Sequence, residues 1–326
     1  MTNPVLVEVT RGDAVESLHR GAIAIADADG RLIEALGDVA VPVYPRSALK
    51  PLQAIPLVTS GAADAFGLGE KELALACASH SGEPFHVEAV AGWLARIGAR
   101  VEDLACGPHA PVNEAVAMAL ARQSRAPTRL HNNCSGKHAG FLSVAKKIGV
   151  PFAGYEAPDG PVQRLVKAAI ARFCGIEPFP PARDGCEAPA FRLPLSHLAQ
   201  GMARFATGHG LASDDANAAR RLLSAMRAKP DYIAGHGRLC TRLIPQLANG
   251  FVKAGAEGTY IAALPGLGLG LALKIDDGTK RAAEIALVAS LIRLGALPAD
   301  YTNSQSVLTT TGFAVGEVRP AVDKRG

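Results

Sequence analysis

The chain has 326 residues, of which 48% are hydrophobic, 20% charged and only 5% aromatic. That is length for one large domain or two intimate subdomains, with a core that Ala, Leu, Val and Ile must fill. A net charge of +4, spread over scattered Lys and Arg, argues against a nucleic-acid groove, and no RNP-like aromatic motif accompanies a basic run.

Taken in chain order, "LVEVTR" (6–11) alternates apolar and polar residues, as a half-buried strand does. "GAIAIADADGRLIEALG" (21–37) reads as two strands around a turn at Asp29-Gly30. After Tyr44 the spacing becomes helical. Leu49, Leu52 and Ile55 share a face, and helices are predicted over 71–77, 86–97, 113–122, 138–147, 161–174, 195–209 and 213–228. "PFPPARDGCEAP" (178–189) reads as a long loop. "GTYIAALP" and "LGLALKIDDG" read as neighbouring strands closed by an Asp277-Gly278 turn, followed by a strongly amphipathic helix over 279–295. The tail from 297 carries apolar fragments with no assigned form. Strands, a helical block, then strands again predict an α/β (α+β) architecture. An antiparallel sheet subdomain (1–46 and 230–326) would take in a mainly helical insertion (47–229), with the active site at their junction.

The N-terminus "MTNPVLVEVTRGDAVES" lacks a basic region followed by a long apolar one, which predicts no export signal and a cytoplasmic protein. No run of about 18 apolar residues predicts a spanning helix or a membrane partner. Six dispersed cysteines (Cys77, Cys106, Cys134, Cys174, Cys186, Cys240) fit reduced thiols or metal ligands better than a disulfide scaffold.

Four stretches carry possible chemistry. In "PRSALKPLQ", Ser47 and Lys50 lie three residues apart at a helix start, where hydroxyl and amine share a face. The pair is either a surface accident or a serine nucleophile with an amine base, the lysine losing its charge by burial beside other cations. Ser143-Val-Ala-Lys146 repeats the spacing without the context. "CASHSGEP" holds Ser79, His80 and Ser81, and reads either as a polar helix end or as chemistry. In "HNNCSGKHAGF", Cys134 has His131 and His138 at zinc-ligand spacings, and Cys186 could add a second thiolate; a free thiol in a turn is the alternative. "VKAGAEGTY" sets Lys253 two residues before Gly255, where a ligand can approach the backbone closely. Gly266, Gly268 and Gly270 lack phosphate-loop spacing and read as places where backbones approach.

A Ser-x-x-Lys at a helix start with a later Lys-x-Gly on a strand resembles the serine β-lactamase and penicillin-binding-protein set, although its Ser-Asp-Asn element is absent. Taken in order, "RSALKPLQA", "CASHSGEP", "NNCSGKHAGF" and "DGCEAPAF", followed by "VKAGAEGTY", "LGLALKIDDG" and "VGEVRP", make the resemblance narrower. From about Glu8 to Val318 the chain is similar to the rhizobial-type (class 3) bacterial L-asparaginases. This resemblance implies hydrolysis of L-asparagine to L-aspartate and ammonia, on a β-lactamase-like fold related to serine-dependent glutaminases, in a homodimer. It implies two Ser-Lys tandems, Ser47 with Lys50 and Ser79 with Lys253, with Ser47 read as carrying the acyl group. It also implies a zinc site of Cys134, Lys137 and Cys186, partly occupied and not required for the chemistry, in place of the two histidines. Arg46 and Asp184, with His138 counted beside them, match substrate-holding positions. Lys137 would have to be deprotonated to bind a metal, so a lowered pKa is expected there and across the cationic cluster. A glutaminase or another serine amidohydrolase on the same fold is the alternative, and a non-enzymatic zinc protein is a third reading.

Overall fold

The computed structural model describes residues 2–303 and 305–321. Eleven strands are assigned among them: β1 (Val5–Arg11), β2 (Ala14–Asp27), β3 (Leu32–Leu36), β4 (Pro42–Val43), β5 (Phe179–Arg183), β6 (Pro189–Pro194), β7 (Phe251–Ala254), β8 (Thr259–Leu264), β9 (Leu269–Ile275), β10 (Gln305–Leu308) and β11 (Ala314–Pro320). The main sheet runs β10-β11-β1-β2-β9-β8-β7, with β3 paired to the far half of β2. Its pairs are antiparallel. Both ends of the chain therefore build one sheet, and the last strand, β11, lies beside the first.

The sheet is covered because β9 cannot face water. Leu271, Ala272 and Leu273 are all buried, so both of its faces need a partner. The helix Leu195–Thr207 lies against Gly270, where a Cβ would sit 2.1 Å from Ala199 O, so the backbones meet as the small residue suggested. The helix Lys280–Arg293 packs on β1, β8, β9 and β11. It is not the strongly amphipathic helix expected: every residue from Ala282 to Val288 is buried, Glu284 included, because strands and tail surround it.

Between the sheet segments lie the helices Glu70–Ala76, Pro84–Ile97, Glu114–Arg122, Ser135–Lys147, Pro161–Cys174 and Ser213–Ala228. Pro161 at the start and left-handed Gly175 at the end delimit one of them, as helix chemistry favours. Two expectations fail. The stretch read as a loop, 178–189, holds β5 and the first residue of β6 with a short loop between them, and these strands make a separate three-stranded sheet with β4. Pro180 and Pro181 hid it, being tolerated only because β5 is an edge strand with an irregular register. And β8 and β9 are joined by the 3-10 turn Pro265–Leu267, whereas Asp277-Gly278 leads out of β9 into the next helix.

Candidate active site

Three segments far apart in sequence deliver the polar centre. Ser47 sits in the 3-10 turn Arg46–Leu49 that precedes the helix Lys50–Gln53. Arg46 holds a left-handed φ of 52°, strained for a side-chain-bearing residue. Ser79 lies just after the helix Glu70–Ala76, its amide donating to Ile233 O at 2.9 Å. Lys253 comes from β7. That strand reaches the Ser47 turn because residue 255 is glycine: a Cβ there would lie 2.3 Å from Pro45 O. The close approach at Gly255 is thus made by the protein's own backbone.

The Ser79 hydroxyl bridges both lysines. Lys50 Nζ lies 3.0 Å from Ser79 Oγ and Lys253 Nζ lies 2.8 Å from it. Lys50 Nζ also donates to Ala78 O and to Asn133 O. Lys253 Nζ donates to Ala254 O at 2.7 Å. Both amines are about 1% exposed. The expected Ser47–Lys50 side-chain contact is not among the hydrogen bonds of the described residues, because the lysine turns inward to three oxygens from other segments. Burial first, and the charge of Lys50 second, push Lys253 down to about 7. Near neutral pH a large fraction of Lys253 is therefore an uncharged amine touching a hydroxyl. The repeated spacing at Ser143 has no such company. Its hydroxyl accepts from Trp93 Nε1 and donates to Ala139 O, and Lys146 is exposed.

The metal candidates also converge. Lys137 Nζ is 3.1 Å from Cys186 Sγ, and all of Cys134, Lys137 and Cys186 are buried. The neighbouring Cys134 holds Cys186 down at about 5 against burial, with the Lys137 charge helping. Cys134 is pushed up to about 12 by the same contact and by burial. The lowered pKa expected of Lys137 belongs to the amine bound to a metal. Burial lowers it, but the sulfurs of Cys186 and Cys134 outweigh burial and hold the ammonium charged. Among the described residues no three His, Cys, Asp or Glu side chains group as a metal site, so any site here needs the lysine. The donor set of two sulfurs and one nitrogen suits zinc. Binding would release the protons of Lys137 and Cys134.

Beside this trio, Arg46 Nη2 donates to Asp184 Oδ1 at 2.7 Å, while Arg46 Nε is buried without a partner. Against burial, that hydrogen bond and the Lys137 charge hold the Asp184 carboxyl below its ordinary range. His138 is buried, its Nδ1 2.6 Å from the Tyr155 hydroxyl and its Nε2 unpartnered. Burial pushes it well below the usual imidazole value, so the ring is neutral. His131 is taken up by Thr128. His80 accepts from Gly82 N at Nδ1 and meets Ser135 Oγ at Nε2, a locked structural ring. The carbonyls of Ala78 and Asn133, which fix Lys50, had no signal in the sequence.

A family model described as L-asparaginase II matches residues 7–320. The chain belongs to the L-asparaginase II family. No curated protein sequence gives a match. Among solved structures, Mglu in its native form is 17% identical with a TM-score of 0.45, over 87% of this chain and 66% of that one. The chain thus spans about two thirds of the length of Mglu. A beta-lactamase from Mycobacterium bovis is 16% identical with a TM-score of 0.43, over 85% of this chain and 95% of that one. Superpositions this loose carry no argument about individual residues of this L-asparaginase II family member. Among its described residues no helix is long and apolar enough to cross a membrane.

Proposed function

We propose that the protein hydrolyses the side-chain amide of L-asparagine to L-aspartate and ammonia through a serine ester. The observation that carries this reading is the Ser79 hydroxyl shared between Lys50 and Lys253, in a chain of the L-asparaginase II family. Neutral Lys253 takes the Ser79 proton as the oxygen attacks the amide carbon, and Lys50 donates to the same oxygen and steadies its charge. The proton on Lys253 passes to the departing nitrogen, which leaves as ammonia. Water, deprotonated by the same amine, then splits the β-aspartyl ester and returns Ser79 its proton. Arg46, through its spare Nε donor, and Asp184, through its carboxylate, are suited to the α-carboxylate and α-ammonium of the amino acid. Neutral His138 adds one free ring nitrogen beside them.

Cys134, Lys137 and Cys186 would hold zinc, which when bound supplies a Lewis-acidic anchor for the amino-acid end of the substrate. The resemblance noted from the sequence also supports a cytoplasmic homodimer with neither a nucleic-acid nor a membrane partner.

In a second reading Ser47 carries the ester and Ser79 relays its proton. The half-buried place of Ser47, one turn before Lys50 and against β7, favours it. Ammonia release from asparagine and from glutamine, in the parent and in Ser79→Ala and Ser47→Ala, tests the proposal. The variant that loses ester formation, followed by peptide mass after acid quench, names the nucleophile. Equal turnover of glutamine would replace asparaginase with glutaminase, since one methylene is worth only about 1–3 kcal/mol in an apolar pocket. No ammonia from either amide would end the proposal.

A further inference from the structure

The segment that carries Ser79 continues through Ser81, Gly82 and Glu83, and the proposed reaction uses none of these three. Glu83 is 6% exposed. Its Oε1 accepts from His236 N at 3.0 Å and lies 2.9 Å from Ser81 Oγ, and its Oε2 meets His236 Nδ1 at 2.5 Å. The Ser81 hydroxyl also reaches Ala234 O at 2.7 Å. Two residues of one loop are thus tied to residues 234–236 of another, 153 positions away.

The contact is tight enough to demand glycine between the two. Gly235 has φ 110° and ψ 171°. A Cβ at Gly235 would fall 1.7 Å from Ser81 Oγ and 2.4 Å from Glu83 Oε1. The ring of Phe85 packs edge-on against Tyr232 and His236, at 5.0 and 5.3 Å between centroids, and shields the junction. The same stretch supplies Ile233 O, the acceptor of the Ser79 amide. Whatever presses 233–236 onto 81–83 therefore also fixes the backbone from which Ser79 reaches its two lysines.

We propose that Glu83 and His236 form a latch whose task is to position Ser79 between Lys50 and Lys253. Glu83 is a positioning residue: it acts through Ser81, Gly235 and Ile233, and touches neither lysine in the hydrogen-bond network. The kinetic half of the idea rests on the proposed amidohydrolase reaction, whereas the structural half does not.

The test compares Glu83→Ala, Glu83→Gln and His236→Ala with the parent, by steady-state ammonia release and by amide hydrogen exchange. In Glu83→Ala, kcat is expected to fall about tenfold or more with KM nearly unchanged, the signature of a displaced reacting group. Exchange at the Ser79 amide should accelerate while β8 and β9 stay protected. Glu83→Gln keeps the shape and the Oε1 acceptor and should recover most of both. His236→Ala removes an exposed ring but leaves the backbone N–H to Glu83, so its loss should be smaller and in the same direction. It also serves if Glu83→Ala does not fold. Unchanged exchange at Ser79 in Glu83→Ala, or glutamine no better than alanine, overturns the latch. A parent without amidase activity would defeat the proposed reaction while leaving the exchange result to decide on the latch.

Discussion

Replacing Lys253 with methionine separates what this amine does in the reaction from what it does to the fold. Burial, then the charge of Lys50, push it down from 10.5 to about 7. At 1% exposure little solvent screening reduces the effect. The folded protein therefore binds fewer protons than the unfolded chain between about pH 7 and 10.5. Stability rises with pH across that window, and the full penalty is present below it. At about 1.4 kcal/mol per pH unit the penalty is about 5 kcal/mol at neutral pH, of which about 3 kcal/mol is relieved by pH 9.5. Methionine escapes the penalty but loses the contacts to Ser79 Oγ and Ala254 O, roughly 1 kcal/mol each. The variant is expected to be about 3 kcal/mol more stable than the parent at pH 7, with no advantage left near pH 9.5. Urea unfolding of both proteins at the two pH values measures this. Ammonia release should drop at least about 100-fold at either pH, as the loss of a proton acceptor requires. Parallel stability curves for the two proteins, or turnover surviving the substitution, would refute the account of Lys253 as a buried amine with a lowered pKa.

Chelation of bound zinc, or Cys186→Ser, is expected to raise KM for asparagine severalfold and leave kcat almost unchanged. Metal analysis alongside steady-state kinetics reads both, and a KM indifferent to metal content removes the anchoring role. Gly255→Ala should push β7 off the Ser47 turn, because its Cβ would meet Pro45 O at 2.3 Å. A loss of about 1–3 kcal/mol is expected by thermal or urea unfolding, together with reduced kcat; a neutral result would mean that the strand and turn can separate freely.

The helices Pro161–Cys174 and Ser213–Ala228 were legible to their end residues because amphipathic spacing agrees with Pro161 and Gly175 at the one and with Pro230 just beyond the other. The β5–β6 hairpin was not, since two prolines mimic a loop and only the edge position excuses them. Nor was the burial of Lys280–Arg293, which depends on tail strands whose pairing no local pattern announces. In the site, Lys50 was legible as a residue but not as a partner. Its amine turns to Ser79 because two backbone carbonyls, of Ala78 and Asn133, wait on that side, and carbonyls leave no mark on a sequence. Lys253 meets Ser79 across 174 residues, a distance no spacing rule spans, so only the family resemblance paired them.

The pairing of β1 with β11 carries a cost in time. Glu317 N donates to Thr10 Oγ1 across 307 residues, and β11 supplies one whole flank of β1. A ribosome must deliver the chain as far as β11 before β1, already paired with β2, acquires its second neighbour. Until then β1 has an unpaired edge, the kind of surface that recruits other chains. Contacts this remote also slow the search for the native state. The protein's yield from synthesis or refolding should therefore depend on how well the opening strand is shielded while it waits for the last.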